Sequence, residues 1–313
     1  MAALSLYPRS CTIGGLIGHG WTAVLLLLMP CVAAAGQAGS FSLESDTEGE
    51  CCCCERSKTL FSWNCYVMEE DGEEEDDDTI VTDRPDFTEA SSTVGLGRVQ
   101  LEMGYTYTFD DEGPATRVSH TYPELLARIG MFEEWFEWRI VWNILDETAA
   151  GTTVGSEDMQ LGIKLALTEQ CCWLPEMALI AQMNVPTGIA PFTTGEVMPG
   201  VNWLYSWEVN EWLALGGSTQ GNRVQDTTGH FHLEIAQSLT AAYSLSDRLG
   251  AYTEWYAFFP HSANDPAATP LHFFNGGFTW LAHDNLQYDV RAGLGLNSAA
   301  DDYFIGTGLS VRY

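Results

Sequence analysis

Charged side chains recur at alternate positions in several short stretches of the sequence, and acids and bases spaced in this way can hold a solute or brace a protein interior. Glu137 and Arg139 are one such pair, and Asp289 and Arg291 are another. Successive side chains of an extended strand point to opposite faces, so residues two apart share a face. The face defined in this way carries Arg98, Glu102, Glu124, Arg128, Glu137, Arg139, Lys164, Glu176, Glu208, Glu234, Glu254, Asp289, Arg291 and Arg312.

Cysteine is the second residue type with evident chemistry. Residues 51–54 are four consecutive cysteines, and Cys65, Cys171 and Cys172 follow them. Thiolates bind soft metals, and they form disulfides after export to an oxidising compartment. The spacing matches no zinc motif with histidine partners. We therefore predict no metal ligands and no cofactor, and an oxidised or idle insertion is favoured over a metal site.

The opposite faces of the charged stretches are apolar. In the closing stretch 303–313, one face is apolar with a tyrosine at each end, whereas the other is small or polar apart from Phe304. We count twelve segments with such alternation, and no stretch after residue 94 has convincing helical periodicity. The segments span residues 98–109, 122–131, 135–145, 159–167, 176–185, 201–210, 212–220, 231–240, 249–259, 274–283, 286–297 and 303–313.

The connections between these segments alternate in length. Short joins occur at residues 132–134 and 283–285, for example, and long ones at 186–200 and 260–270. Tight turns on one rim and longer loops on the other are typical of outer-membrane barrels. We therefore predict an all-β fold, an antiparallel transmembrane β-barrel of about 12 strands, located in the outer membrane of a Gram-negative-type cell.

A soluble sandwich or barrel would show the same alternation with its apolar face turned inward, so other features must identify the surrounding medium. Only 18% of residues are charged, and the charged faces are sparse and mixed in sign, unlike a densely charged solvated surface. Aromatic residues cluster toward the strand ends, as in interfacial girdles. These features favour lipid outside the apolar faces. The formal net charge of −30 argues against nucleic acid as a partner.

The first 93 residues differ in composition from the strands. Residues 1–38 contain the apolar core WTAVLLLLM and the small residues AAAGQA, which predict a signal peptide cut near Ala35 or Ala38. The alternative, a membrane anchor, needs a longer apolar stretch of ~20 residues. Residues 39–78 are predicted to be a disordered, acidic, cysteine-rich arm. Residues 79–93 are predicted to form a periplasmic or lumenal segment before the barrel, residues 94–313. Three charged residues of that segment are candidates for a plug inside the lumen, and they are Asp83, Arg84 and Asp86.

The stretch TDRPDFTEAS, residues 82–91, is followed by VGLGRVQLEMGYTYTFDD, and together they resemble the start of the bacterial family called putative MetA-pathway of phenol degradation. The resemblance extends to the closing DDYFIGTGLSVRY. It implies an outer-membrane barrel with a role in the passage of aromatic or other organic compounds. A final strand that ends on an aromatic residue is also similar to those favoured by outer-membrane insertion machinery. The expected partners are membrane lipid, a small organic solute and that machinery.

Two other functions remain as alternatives. Barrels that hydrolyse lipid, resembling phospholipase A, carry a His and a Ser two residues apart on a strand face. This sequence has no His-x-Ser, and the adjacent His261 and Ser262 would point apart. We predict no catalytic residues, and we keep a lipid-modifying enzyme and a structural or adhesive barrel as alternatives. The charged face is open to two interpretations, bracing of a narrow interior and control of selectivity. We predict a monomeric, passive channel for small organic solutes.

Overall fold

The computed structural model describes residues 57–61, 79–111, 116–148 and 151–313. The predicted signal peptide lies outside the described residues, and so does the predicted acidic arm apart from 57–61. Within the described part of the chain, no helix has both the length and the apolar character that crossing a membrane requires. The regular elements described are β-strands.

Antiparallel strands form one sheet that closes on itself. They are β1 (Val99–Asp110), β2 (Arg117–Gly130), β3 (Phe136–Thr148), β4 (Thr152–Ser156), β5 (Met159–Thr168), β6 (Glu176–Val185), β7 (Met198–Asn210), β8 (Leu213–Gln225), β9 (Phe231–Ser246), β10 (Leu249–His261), β11 (Leu271–His283), β12 (Leu286–Gly295) and β13 (Tyr303–Arg312). The strands β4 and β5 pair with different parts of the same neighbour, β3, so together they occupy the position of one strand in the wall. The sheet therefore closes as a 12-stranded barrel, which confirms the predicted fold class.

The seam of the barrel lies between β1 and β13. These strands pair from Gln100 opposite Arg312 to Phe109 opposite Tyr303. Beyond that register, Val99 and the final tyrosine exchange two backbone hydrogen bonds of 3.1 and 2.8 Å. A sheet in lipid must leave no unpaired edge. The two-faced stretch 303–313 is thus a wall strand whose pairing removes the last free edge.

The two faces of the wall differ in polarity. Apolar side chains point outward, and Trp138, Val290 and Ile305 are 42%, 51% and 55% exposed. Charged side chains point inward, and Glu137 and Lys164 have no exposed surface. A barrel dissolved in water would have the reverse arrangement, because water favours burial of the apolar face. The outer face is therefore the surface that contacts membrane lipid.

Aromatic side chains lie toward both ends of the outer face. Near the long loops, Phe109 and Tyr303 stack with their ring centroids 5.2 Å apart. Near the short turns, Trp280 and Tyr288 stack at 5.8 Å, and Tyr313 is exposed. Rings with an apolar body and a polar tip are favoured where hydrocarbon meets water. The aromatic residues of the expected girdles are thus on the lipid-facing side.

Gln237 interrupts the apolar alternation of β9, and its neighbours satisfy its amide group. The amide oxygen accepts a hydrogen bond from the Thr219 hydroxyl at 2.8 Å, and the amide nitrogen donates to the Tyr205 hydroxyl at 2.7 Å. Tyr205 reaches Gln237 across Gly217, where a Cβ would lie 2.8 Å from the tyrosine ring. A lipid-facing amide is costly unless its hydrogen bonds are made within the protein. Gly217 is therefore needed so that Tyr205 can make one of them.

One carboxylate ties two of the long loops together. Asp226, directly after β8, accepts backbone hydrogen bonds from Thr228 and His230 in its own loop. It also accepts them from Asn264 and Asp265 in the loop between β10 and β11. The hydrogen bond from the Thr228 hydroxyl, followed by those from the backbone, holds the pKa of Asp226 well below its usual range. The carboxylate therefore stays ionised, and the loops stay joined, in mildly acidic solution.

Residues 57–61 lie beside the short-turn end of β5. The Leu60 N–H donates to the Ala166 carbonyl at 2.9 Å, and the Phe61 N–H donates to the Leu167 carbonyl at 3.0 Å. In the turn that follows β5, Cys171 is disulfide-bonded. For this cysteine, the finding favours oxidation over metal binding.

Candidate functional site

Residues 79–94, which we call the inner segment, lie against the inner face of the barrel. The segment has no regular secondary structure, and its polar groups bond to inward side chains of the wall. Near its start, the Gln100 amide donates to the Val81 carbonyl at 2.9 Å. At its end, the Val94 N–H donates to the Glu137 carboxylate at 3.0 Å. The inner segment therefore occupies the lumen near the short-turn rim.

Asp83 is the centre of the charged network. Its carboxylate lies 2.9 Å from the Lys164 ammonium and 3.3 Å from the Arg128 guanidinium, and it also pairs with Arg139. All four side chains are at most 2% exposed. Charges withdrawn from water in this way are tolerated only when they are paired and hydrogen-bonded. One carboxylate of the inner segment is thus shared by three cations of the wall.

Two wall glutamates hold the backbone of the inner segment. Glu102 accepts the N–H groups of residues 83 and 84, both at 3.0 Å. Glu254 accepts those of residues 87 and 88, at 2.8 and 2.7 Å. A helix would pair these donors within itself and a strand would pair them with its neighbour, whereas an irregular segment needs other partners. Because both carboxylates are buried, the wall determines the path of the segment.

Arg84 of the inner segment lies flat against the wall between two acids. Its guanidinium is 2.7 Å from Glu124 and 3.3 Å from Asp289. The wall residues beneath it are Gly104 and Gly308, where a Cβ would lie 2.3 Å from Arg84 atoms. Glycine in a strand interior often marks such a close approach. These two glycines therefore make room for the inner segment.

Replacing Gly308 with alanine is expected to displace Arg84. The added carbon would lie 2.3 Å from the Arg84 guanidinium and 2.6 Å from the Asp289 carboxylate, and overpacking of this kind destabilises by about 1–3 kcal/mol. We expect a lower temperature for the change in electrophoretic mobility that accompanies barrel unfolding. Gly221→Ala is the matched control, because its nearest neighbours lie 3.8 and 3.9 Å away. Equal shifts in the two variants would contradict the packing of Arg84 on the wall.

Glu137 joins the Asp83 network from β3. It lies 2.9 Å from Arg128 and 3.0 Å from Arg139. The sequence predicts that Glu137 and Arg139 lie beside Lys164, and Glu137 is indeed opposite Lys164 in the β3–β5 pair. Lys164 nevertheless bonds to Asp83, which the strand pattern does not indicate.

A second expected cluster does not form. Alternation predicts that Asp289, Arg291 and Arg312 meet on neighbouring strands, and closure of the barrel adds Arg98 and Glu102 to this cluster. Asp289 and Arg291 bond instead to the inner segment, and Arg312 donates to the Asn285 amide oxygen at 2.7 and 2.9 Å. The reason is that the inner segment lies against these strands and provides partners that the strands would otherwise share.

The remaining candidates lie at the margins of this network. Arg98, Glu176 and Glu234 are half-buried, and Glu208 is exposed at the short-turn end of β7. Asp86 is half-buried beside Thr240 and Glu254. Among the described residues, no cation pairs with Asp86, in contrast to Asp83 of the same segment.

An aromatic cluster, which the alternation does not predict, packs the inner segment against β10, β11 and β13. Phe87 stacks on Tyr256 at 4.6 Å, Tyr256 stacks on Phe273 at 4.9 Å, and Phe273 meets Phe304 at 6.5 Å. Such ring pairs add about 0.5–1.5 kcal/mol each beyond the burial of their area. The one signal in the sequence is Phe304, which interrupts the polar face of its strand.

The described residues of the lumen include no candidate metal site. In those ranges, no three His, Cys, Asp or Glu side chains lie where they could hold a metal ion. His120 bonds to the Tyr105 hydroxyl and His272 packs on Trp255, both on the lipid-facing side. What the interior does hold is a peptide segment anchored by charged side chains.

Residues 82–313 match the family described as "Putative MetA-pathway of phenol degradation". No curated protein matches the sequence.

Several solved structures have a similar fold. An outer-membrane channel from Pseudomonas putida F1 is similar at a TM-score of 0.58 and 11% identity, over 71% of this chain and 98% of that chain. The NanC porin has a TM-score of 0.44 and 9% identity, over 68% and 98% of the two chains. The translocator domain of the autotransporter NalP from Neisseria meningitidis has a TM-score of 0.46 and 10% identity, over 70% of this chain and 88% of that chain. At these identities the similarity concerns the fold alone. Of the three structures, only the channel from Pseudomonas putida F1 is similar enough to support the barrel fold.

Proposed function

The chain belongs to the family described as "Putative MetA-pathway of phenol degradation", and we propose that it is a passive channel for small organic solutes. Its membership confirms the family predicted from residues 82–91 and the closing strand. The protein is an outer-membrane β-barrel of the Gram-negative type, and its outer face contacts lipid. The channel function is supported by the way in which its lumen is occupied.

The observation that carries the proposal is that a separate stretch of chain lies inside the lumen. Lys164 and Ser238 point inward and have no exposed surface, and both bond to the inner segment. A barrel with a purely structural role can be filled by side chains of its own wall. Here hydrogen bonds and ion pairs hold the filling, so a shift of one segment would open a path. The inner segment then acts as a plug, and its charged residues are Asp83, Arg84, Asp86 and Glu89.

In this proposal the charged residues of the wall have two roles in succession. At rest they hold the plug, and the residues that do so are Glu102, Glu124, Arg128, Glu137, Arg139, Lys164, Glu254, Asp289 and Arg291. When the plug moves, the same side chains line the open path, together with Arg98 and Arg312 at its short-turn end. The charged residues then brace the closed state of the channel and set the selectivity of its open state.

The aromatic cluster supports aromatic compounds as one class of solute. Phe87 of the plug stacks on Tyr256 at 4.6 Å. When the plug moves, Tyr256 loses this partner and its ring face is left open to the lumen. A flat apolar solute could stack there in place of Phe87. This agrees with the passage of organic compounds that the family resemblance implies.

Reconstitution of the purified full-length protein tests the proposal. We expect discrete current steps in planar bilayers, with brief openings because the plug rests in the lumen, and swelling of proteoliposomes in a solution of a pentose. Correctly inserted protein that gives neither current steps nor swelling would refute the channel and favour a structural or adhesive barrel. Release of fatty acid from phospholipid would favour a lipid-modifying enzyme instead.

The seam strand supports a further partner. Tyr313 is exposed on the lipid side at the short-turn end of the barrel. It lies beside the seam, where β13 pairs with β1. We propose that outer-membrane insertion machinery recognises this strand before closure. Its apolar outer face and terminal aromatic ring are the features available to such a partner.

A further inference from the structure

Side-chain amides form a patch on the inner face, in the half of the barrel nearer the long loops. They come from β3 and from β5 to β8, and they are Asn143, Gln160, Gln182, Asn184, Asn202, Gln220 and Asn222. The pairing register brings them together, since Gln160 is opposite Asn184 and Asn202 is opposite Gln220. We call this set the amide patch. The inner segment borders it, because Glu89 accepts a hydrogen bond from Asn202 at 3.1 Å.

Part of the hydrogen-bonding capacity of the amide patch is unused. A side-chain amide can donate two hydrogen bonds and accept two. The amide oxygens of Asn143 and Asn202 are buried and have no donor among the described residues, and Asn202 is only 1% exposed. Buried polar atoms are nearly always paired. The two oxygens are therefore acceptors that a further molecule can still use.

The amide patch faces open space. Gln160, Gln182 and Asn222 point into the barrel and are nevertheless half-buried, so the lumen in front of them is not filled by protein. Gly200 contributes to this space, because a Cβ there would lie 2.1 Å from the Asn222 amide oxygen. A solute can thus reach Gln160, Gln182 and Asn222, whereas Asn202 is as buried as the charges around Asp83.

The long-loop rim is strongly acidic. The acids at or near this rim are Asp110, Asp111, Asp146, Glu147, Glu157, Asp158, Glu196, Asp226, Asp265, Asp301 and Asp302, whereas the bases in the described part of the rim are Arg117 and Arg223. A mouth lined by one sign of charge repels solutes of that sign. It discriminates against carboxylates, and the uncharged amide patch beyond it offers no cation to hold them.

We propose that the amide patch binds an uncharged solute with several hydroxyl or amide groups as it moves from the long-loop mouth toward the inner segment. This inference rests on the proposed channel function and narrows its solute class. The aromatic cluster belongs to β10, β11 and β13, across the closed ring from β5 to β8. A solute with one flat apolar part and one hydroxylated part matches both walls. A neutral glycoside of a phenol has this chemistry.

Swelling of proteoliposomes in phenyl glucoside and in phenyl glucuronide tests the inference, because the two solutes have similar size and differ in one carboxylate. With the full-length protein, we expect swelling roughly fivefold faster or more in the glucoside. The double variant Gln160→Leu/Gln182→Leu keeps the side-chain volumes and removes two amides, and we expect its glucoside rate to fall about tenfold. Gln225→Leu, the same change at the exposed end of β8, should behave as the unaltered protein.

The outcomes separate this inference from the channel function. Equal rates for the two solutes would overturn the inference while the channel stands, and so would a glucoside rate that loss of the amides leaves unchanged. Absence of swelling in both solutes and in a pentose, together with absence of current steps, would overturn the channel itself. Folding of each variant is checked by its electrophoretic mobility before and after heating, and Gln182→Leu alone replaces the double variant if that fails to fold.

Discussion

When Thr88 and Ser238 are both replaced by cysteine and the protein is oxidised, solute passage is expected to fall more than about tenfold, because a disulfide between these neighbouring side chains would fix the inner segment in the lumen. These oxygens lie 2.6 Å apart. The disulfide would tie the middle of the inner segment to β9 and prevent it from leaving the lumen. Swelling rates and currents are measured in the oxidised protein and again after a reductant, which should restore them.

Two controls accompany this experiment. Since the chain has cysteines of its own, each single variant, Thr88→Cys and Ser238→Cys, is oxidised in parallel and should keep its permeability. The pair Ser91 and Ser206, whose hydroxyl oxygens lie 2.7 Å apart, offers an independent lock between the inner segment and β7. Full permeability in both oxidised double variants would show that solute passes while the segment stays in place, and the plug would be wrong.

The strands of the wall could be predicted from sequence because a membrane imposes a local rule on each of them. Whether a side chain faces lipid or the lumen depends only on its position within its own strand. Trp138 and Glu137 illustrate this, since neighbours in sequence lie on opposite faces with opposite exposure. The segment predicted at 286–297 is accordingly observed as β12, Leu286–Gly295.

The partners inside the lumen could not be predicted in the same way. Alternation indicates that Lys164 points inward, but its partner Asp83 lies outside the strands and 81 positions away in sequence. Gly104 and Gly308 likewise look merely small in the strand pattern, and their role becomes visible only when Arg84 is placed over them. Contacts of this kind depend on where an irregular segment lies in space, and no periodicity encodes that position.

The division of the lumen into an amide side and an aromatic side is intermediate between these cases. Alternation places Asn143, Gln160, Gln182, Asn184 and Asn202 inward, whereas the faces of residues 212–220 are ambiguous and Phe304 interrupts the polar pattern of its strand. The alternation within a strand does not show which strands face one another across the barrel. That information follows from antiparallel neighbours in a closed sheet, since β5 to β8 and β10 to β13 then occupy different arcs. Ordering the inward residues by strand would therefore have revealed both sides.

Asp83→Ala is expected to have the opposite effect to the disulfide lock and to produce a more open channel. Removing one partner of a buried ion pair costs about 3–5 kcal/mol, because the other charges remain buried without compensation. Here Lys164 would lose its carboxylate partner, and Arg128 and Arg139 would each lose one partner while they keep Glu137. Water can reach these cations again if the inner segment moves away. The free energy of the variant therefore favours the displaced segment, and we expect the open probability in planar bilayers to rise at least about tenfold, the equivalent of 1.4 kcal/mol.

The matched control is Asp86→Ala, which makes the same change in the same segment. Asp86 is half-buried and has no cation partner among the described residues, so its removal leaves no wall cation uncompensated and should change the open probability far less. The barrel itself should keep its heat-dependent electrophoretic mobility in both variants, because its strand pairs do not involve the inner segment. If Asp83→Ala instead lowers the unfolding temperature and leaves the open probability unchanged, the network around Asp83 braces the barrel, and the segment is a fixed part of its interior.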